Sequence, residues 1–339
     1  MHCEGKQVSD FNSLLTSISA LGIERRYLLR VLPEWMLAYP PTSTTELVEA
    51  KVLLSTILGL DLEALLSGHG AAFATPPSPP LFKRALKVSA EALTPAAAMF
   101  GALARSVASA VASQVQQLPA DPEMLRVEVL KSTGLVCLES LLTALWQHGI
   151  PVVHFSDLPD KFSRPDAMVM DVGGRPCVVV GGKRQHAAWQ LFYVAHEAGH
   201  IALGHLTENG LILDADIDTS SVEKDDEEDE ANKYGLSLLA GSRAIDLPAN
   251  PSLTGTPLAR QISKLARDQA IDAGHLLLRF AAQNNAWAAA GQVLNLISVD
   301  EQKDGPKLIN RIARAHLDWG NMTDEGRSFV ARALCVEAS

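Results

Sequence analysis

The residues of this chain best suited to chemistry are His196, Glu197 and His200, in the run FYVAHEAGHIALGH. Two histidines four apart project from one face of an α-helix, one turn apart, so both imidazoles can reach a single Zn²⁺ at about 2.0–2.1 Å. The carboxylate between them lies beside that face, where it can take a proton from a water on the metal and pass it to a leaving amine. Zn²⁺ does the complementary work by acidifying that water and polarising a scissile carbonyl. The H-E-x-x-H spacing therefore points to metal-assisted amide hydrolysis. Its flanks (Leu191, Phe192, Val194, Ala195, Ile201, Ala202, Leu203) are apolar, so the helix is expected to be buried and its polar side chains to need partners. The structural alternatives are two satisfied core histidines with a capped glutamate, or a closed zinc site, which ordinarily takes four protein ligands and favours cysteine.

A hydrolytic site needs a third protein ligand and an open fourth position. A histidine six residues beyond His200 would serve, but Leu206 stands there and His205 is one residue short. A glutamate on a later helix is the other solution, and KDDEEDEANKYGLSLLAG offers several. At about 100° per residue, Ala231, Tyr234, Gly235, Leu238 and Leu239 form one face of a helix running from about Glu227 to Ala240. Asp229 and Glu230 fall outside that face. Glu227 and Glu228 flank its centre about equally, so helical phase leaves both open.

The run HEAGHIALGH followed by E-x-x-A-N-x-[aromatic]-x-x-x-L-L resembles the ImmA/IrrE family of zinc metallo-endopeptidases, over about residues 140–245. The resemblance implies that Phe192 is the aromatic preceding the motif, His196 and His200 are metal ligands, and Glu197 is the general base. It implies Glu228, three residues before Ala231-Asn232, as the third ligand. Tyr234 stands where the family usually has Phe, Gly235 where it has Ala, and Ala240-Gly241 where it often has Met-Pro; none of these removes a ligand. The resemblance further implies a Zn²⁺ cofactor and a small sheet packed on the motif helix. It also implies a regulated protease that cuts a helix-turn-helix repressor, often encoded nearby, in a switch for stress response, mobile elements or phage defence. Nucleic acid or a small molecule is a candidate activator of such a switch. Two other readings stand beside it: a non-proteolytic metal-binding regulatory module that sequesters a partner, and a DNA-binding regulator acting through residues 43–66.

The elements that must position these residues read as an α+β fold: a mostly helical chain with a small sheet of about three strands packed on the motif helix, flanked by helical N- and C-terminal regions. The expected strands are Ile150–Phe155, Ala167–Asp171 and Pro176–Val180, with helical periodicity from Gln185 to about Leu206. Residues 1–72 form an N-terminal helical region, and 73–82, FATPPSPPLF, a proline-rich linker. A metallopeptidase domain with its preceding helices covers 83–250, and a further helical region 251–339. Within 46–66, a turn at Gly59-Leu60-Asp61 after the candidate caps Ser43-Thr44-Thr45 could make a helix-turn-helix. Residues 1–130 hold 10 basic and 12 acidic side chains, however, without the basic stripe of a DNA-docking module. Asp121-Pro122 reads as a helix start. From Pro257 onward three or four helices are expected, with Trp287 and Trp319 as core anchors.

Several single residues have two readings. His205 suits the end of the motif helix, where the dipole favours it. His154, His275, Tyr193 and Tyr234 are candidates to stabilise an oxyanion, or else satisfied core residues. The four cysteines show no C-x-x-C spacing, and MHCEGKQVSD lacks a basic start and apolar stretch, so a cytoplasmic protein is expected. No uninterrupted apolar run of about 18 residues suggests a membrane span. A thiolate from Cys177, Cys3 or Cys335 could latch the zinc; Cys177 reads otherwise as a small buried hydrophobe. The net charge is −10, and Asp214–Glu230 alone carries ten acidic residues against Lys224, leaving the rest nearly neutral. This segment reads as a solvated loop and helix start from which Glu228 turns inward, so it excludes anionic partners only locally. The sequence does not set the oligomeric state.

Overall fold

The computed structural model describes residues 11–75, 81–83, 90–214, 226–243 and 245–337. Five helices open it: α1 (Phe11–Ser19), α2 (Arg25–Val31), α3 (Glu34–Ala38), α4 (Thr44–Leu58) and α5 (Leu62–Ser67). Then come β1 (Leu81–Lys83), α6 (Ala90–Ala108), α7 (Pro122–Thr133), α8 (Leu138–Gln147), β2 (Val152–His154), β3 (Ala167–Val172) and β4 (Arg175–Val180). The motif helix α9 (Ala187–Leu203), β5 (Leu211–Asp214) and α10 (Asp226–Ala240) follow. Five more helices close the chain: α11 (Gly255–Gln269), α12 (Ala273–Asn284), α13 (Trp287–Ile297), α14 (Gly305–His316) and α15 (Asp324–Leu334). The C-terminal region thus has five helices, where three or four were expected.

Local signals set many of these boundaries. Ser43 and Glu46 make a reciprocal capping box at the start of α4, Asp61 caps α5, and Asp121 with Pro122 opens α7. Gly59 ends α4 in the left-handed region at φ 65°, and a Cβ there would collide with the Ala98 carbonyl of α6. The α4–α5 turn is therefore pressed into the core. The helix after it, LEALLS, is six residues long and has a carboxylate but no basic side chain.

The strand order is β1-β5-β3-β4-β2, with β3 antiparallel to both β4 and β5, while β4 pairs β2 and β5 pairs β1 in parallel. The three expected strands are present as β2, β3 and β4. Two more extend the sheet, making a mixed sheet of four strands with the three-residue β1 added at its edge. Alternation across the plane shows that both faces are covered. A Cβ at Gly181 would strike Phe100 of α6, and one at the next residue, Gly182, would strike Tyr193 of α9. Two-sided burial explains why β3 and β4 read as nearly continuous apolar runs.

Asn310 of α14 closes the β2 edge: its Oδ1 accepts from the His154 N–H and its Nδ2 donates to the His154 and Leu334 carbonyls, each at 2.8 Å. One apolar core runs from Phe11 through the sheet to Leu334, and a second lies under α11–α13 around Ile262, Leu277, Phe280 and Val293. Trp319 is buried as expected. Trp287 is not a core anchor: it is 40% exposed and stacks on Trp189 at 5.6 Å. No helix among the described residues is long and apolar enough to cross a membrane.

Candidate metal centre

The motif helix begins where His186 Nδ1 accepts the Ala188 N–H, and it ends at Gly204, whose φ of 75° only glycine adopts without strain. Nearly every residue between is buried, because the sheet, α8, α10, α12 and α14 all pack on it. Its tightest neighbour is α10. A Cβ at Gly199 would lie 2.9 Å from the Ala231 carbonyl oxygen, and one at Gly235 would lie 3.2 Å from the Ala195 backbone. Each helix thus presents a glycine to the other's backbone, and the close approach brings the first turn of α10 over His196 and His200.

Glu228 is the inward carboxylate of that turn, 1% exposed, whereas Glu227 is only partly buried. Its Oε1 stands 3.1 Å from His200 Nε2 and its Oε2 3.5 Å from His196 Nε2. The two Nε2 atoms are 3.1 Å apart. A residue that was not anticipated completes the group. Asp214, the last residue of β5, places Oδ2 3.5 Å from His196 Nε2 and 4.0 Å from His200 Nε2. One ligand atom from each of the four residues lies within 4.8 Å of the other three. Donors held at about 2.0–2.1 Å from one tetrahedral ion are separated by about 3.3 Å, so this group can hold a metal ion with little rearrangement.

Charge argues the same way. Glu197, Asp214 and Glu228 put three carboxylates beside two imidazoles, all five residues at most 1% exposed. No neutral donor satisfies the carboxylate oxygens of Glu197 or Asp214. Burying such an excess of negative charge is costly without a cation. Burial, reinforced by neighbouring Asp214, pushes the Glu197 carboxyl well above the usual carboxylate range. For His196, burial pulls the imidazolium down, but Asp214 and Glu228 outweigh it and raise its pKa to about 10. Burial opposes ionisation of Glu228 as well, yet hydrogen bonds with His196 and His200 hold its carboxyl far below the ordinary value. The raised proton affinity of His196 reflects the same demand for positive charge that a divalent cation meets.

The outer ring nitrogens are also engaged. Asn232 Oδ1 can only accept, so the His196 Nδ1–H donates to it at 3.1 Å and Nε2 is the nitrogen turned toward the carboxylates. His200 Nδ1 meets His205 Nδ1 at 3.0 Å, and His205 Nε2 meets Glu230 Oε2 at 3.1 Å. The consistent assignment has His200 Nδ1–H donating to His205, whose Nε2–H donates to Glu230. His205 stands just past the C-cap of the motif helix, as its helix-terminal reading expects, and also serves this relay.

The other candidates lie elsewhere. His154 bonds Ser156 Oγ at 3.0 Å through Nδ1, and His275 sits in the second core; neither belongs to the group. Burial lowers their pKa values, to about 4 for His154 and, with Arg279 and Arg126 nearby, to about 3 for His275. The Tyr234 hydroxyl donates to the Pro119 carbonyl, and the Tyr193 ring packs beside Gly182. Among the described residues no cysteine joins the group: Cys177 is buried within β4, its thiol pushed up by burial, and Cys335 follows α15. Cys3 and residues 215–225 of the acidic segment lie outside the described residues.

Asp214 departs from the solvated acidic run to which the sequence assigns it: it ends β5 and is buried. The signal that marks it is Asn209-Gly210 followed by Leu211-Ile212-Leu213, a turn dipeptide before an apolar run, with Asn209 at φ 53°. Asp171 of β3 fixes that turn by accepting the Asn209 N–H at 2.9 Å. No family model, curated protein or solved structure matches the chain.

Proposed function

We propose that the chain is a zinc-dependent endopeptidase that cuts a protein substrate, a helix-turn-helix transcriptional repressor, within a cytoplasmic stress- or defence-response switch. The observation that carries this reading is Glu197, a buried carboxylate beside a ligand group that already contains the three donors such an enzyme needs. Simple binding requires no such base. A zinc ion held by His196, His200 and Glu228 would supply Lewis-acid polarisation of the scissile carbonyl and acidify a water. Glu197 would be the residue that accepts that water's proton and delivers it to the departing amine nitrogen. Burial raises its proton affinity. Asn232 and the His205–Glu230 relay hold the two imidazoles in register.

The substrate class follows from the family resemblance, and the test is direct. Zinc-loaded wild-type protein and Glu197→Gln are compared on helix-turn-helix repressors encoded near this chain, with products identified by mass spectrometry. Glu197→Gln should retain zinc and lose about 10²–10⁴-fold in cleavage rate. Equal cleavage by both proteins would overturn the assignment. Complete burial of the ligand group favours a second reading, a metal-binding regulatory module that sequesters its partner without cutting it. That reading requires Glu197→Gln to regulate as well as the wild type.

A further inference from the structure

The ligand group holds one donor more than a hydrolytic site uses. With His196, His200 and Glu228 on the metal, a tetrahedral sphere has one position left, and a peptidase needs solvent there. Asp214 Oδ2, 3.5 and 4.0 Å from the two imidazole nitrogens, is the remaining donor of the group. It is not a flexible surface group. Asp214 is 1% exposed, its carboxylate faces His196 Nε2 at 3.5 Å, and its carbonyl accepts the Asp166 N–H at 2.7 Å. Its strand is paired on both sides: β3 sets Ala167 opposite Asp214, and β1 sets Lys83 opposite it.

That second pairing bears on substrate access. An extended peptide commonly binds by adding a strand to a sheet edge. At one edge Asn310 holds the His154 backbone. At the other, beside Asp214, the segment Leu81–Lys83 at the end of the proline-rich linker already occupies the place of an added strand.

We infer that Asp214 is a fourth metal ligand and that the described conformation is a resting form, with Asp214 in the solvent position and β1 on the substrate edge. Activity then requires the end of β5 to withdraw from the metal. This inference rests on the metallopeptidase reading, and one experiment separates the two. The full-length protein, Asp214→Asn and Asp214→Ala are loaded with Co²⁺ in place of Zn²⁺, and their visible spectra are followed with pH and with added acetohydroxamate.

A sphere closed by four protein ligands has no solvent to titrate. The wild-type spectrum should therefore stay constant between about pH 6 and about pH 9, where solvent on such a metal loses a proton, and should not respond to acetohydroxamate. Both variants should show a pH-dependent band that acetohydroxamate shifts, with one equivalent of metal retained, and should cleave faster than wild type. Asp214→Asn keeps the side-chain volume, so a folding defect confined to Asp214→Ala leaves the comparison intact. A wild-type spectrum that already titrates and responds as the variants do would overturn the fourth-ligand assignment while leaving the three-ligand peptidase standing. Absence of stoichiometric metal uptake by the wild type would overturn the metallopeptidase reading itself.

Discussion

His196 and His275 are equally deep in this protein, 0% and 2% exposed, each on an apolar helix, yet their environments drive them in opposite directions. Both lose hydration. Around His196, Asp214 and Glu228 more than repay that loss and lift its pKa to about 10. No carboxylate offsets it at His275, whose pKa falls to about 3, with its Nε2 lacking a hydrogen-bond partner. His154 resembles His275, at about 4. A buried histidine is therefore not a site; a site arises where separate elements aim carboxylates at it.

The largest expected contrast between the two regions is in metal binding. His196→Ala should take up no zinc, whereas His275→Ala should keep one equivalent. At a free metal concentration of one hundred times the dissociation constant, the wild type gains about 2.7 kcal/mol of stability from its ion. Thermal unfolding with and without zinc should show that gain for His275→Ala and not for His196→Ala. Equal metal content in the two variants would break the distinction.

A smaller effect is expected one shell out. Removing His205 leaves the ligands in place but deprives His200 Nδ1 of its acceptor. Competition with a chromophoric chelator should show His205→Ala weakening zinc affinity about 10–100-fold. Glu230→Gln should lose less, because Glu230 is solvent-exposed. An unchanged affinity in His205→Ala would remove the relay from the site.

The smallest effect lies in the acid limb of stability. His154 and His275 stay neutral in the fold and regain their ordinary value of 6.5 only when unfolded. Below that value the unfolded chain binds more protons than the native one. Their stabilising contribution is thus complete above pH 6.5 and is lost as the pH falls toward 4 and 3, by up to about 1.4 kcal/mol per pH unit for each group. His275→Leu should flatten this limb in urea titrations repeated from neutral to acid pH. A wild-type and variant limb of equal slope would show that His275 is not neutral in the fold.

Much of the candidate metal-binding face was legible because its spacing is local. His196 and His200 four residues apart on a helix, the Asp121-Pro122 start, the Ser43 cap and the β3–β4 hairpin all arise from residues near one another along the chain. Glu228 was half legible. Helical phase narrowed the choice to Glu227 and Glu228, and the family resemblance chose the one that is buried. Trp287 misled because a large aromatic reads as core by composition, whereas its neighbour Trp189 gives it a half-exposed stacking partner instead.

The sequence by itself determined a helix able to present two imidazoles to one metal, a carboxylate beside them, and a later acidic helix start able to add another donor. Tertiary structure alone decided the rest. Asp214 enters the group because β5 pairs with β3 across more than forty residues, and the close glycine contacts of α9 with α10 set the distance to Glu228. Leu81–Lys83 becomes a strand only because β5 offers it an edge. The physical reason is common to all three. A helix carries its hydrogen bonds and side-chain spacing within one segment, whereas strand pairing and the convergence of buried charges depend on partners far away in the chain.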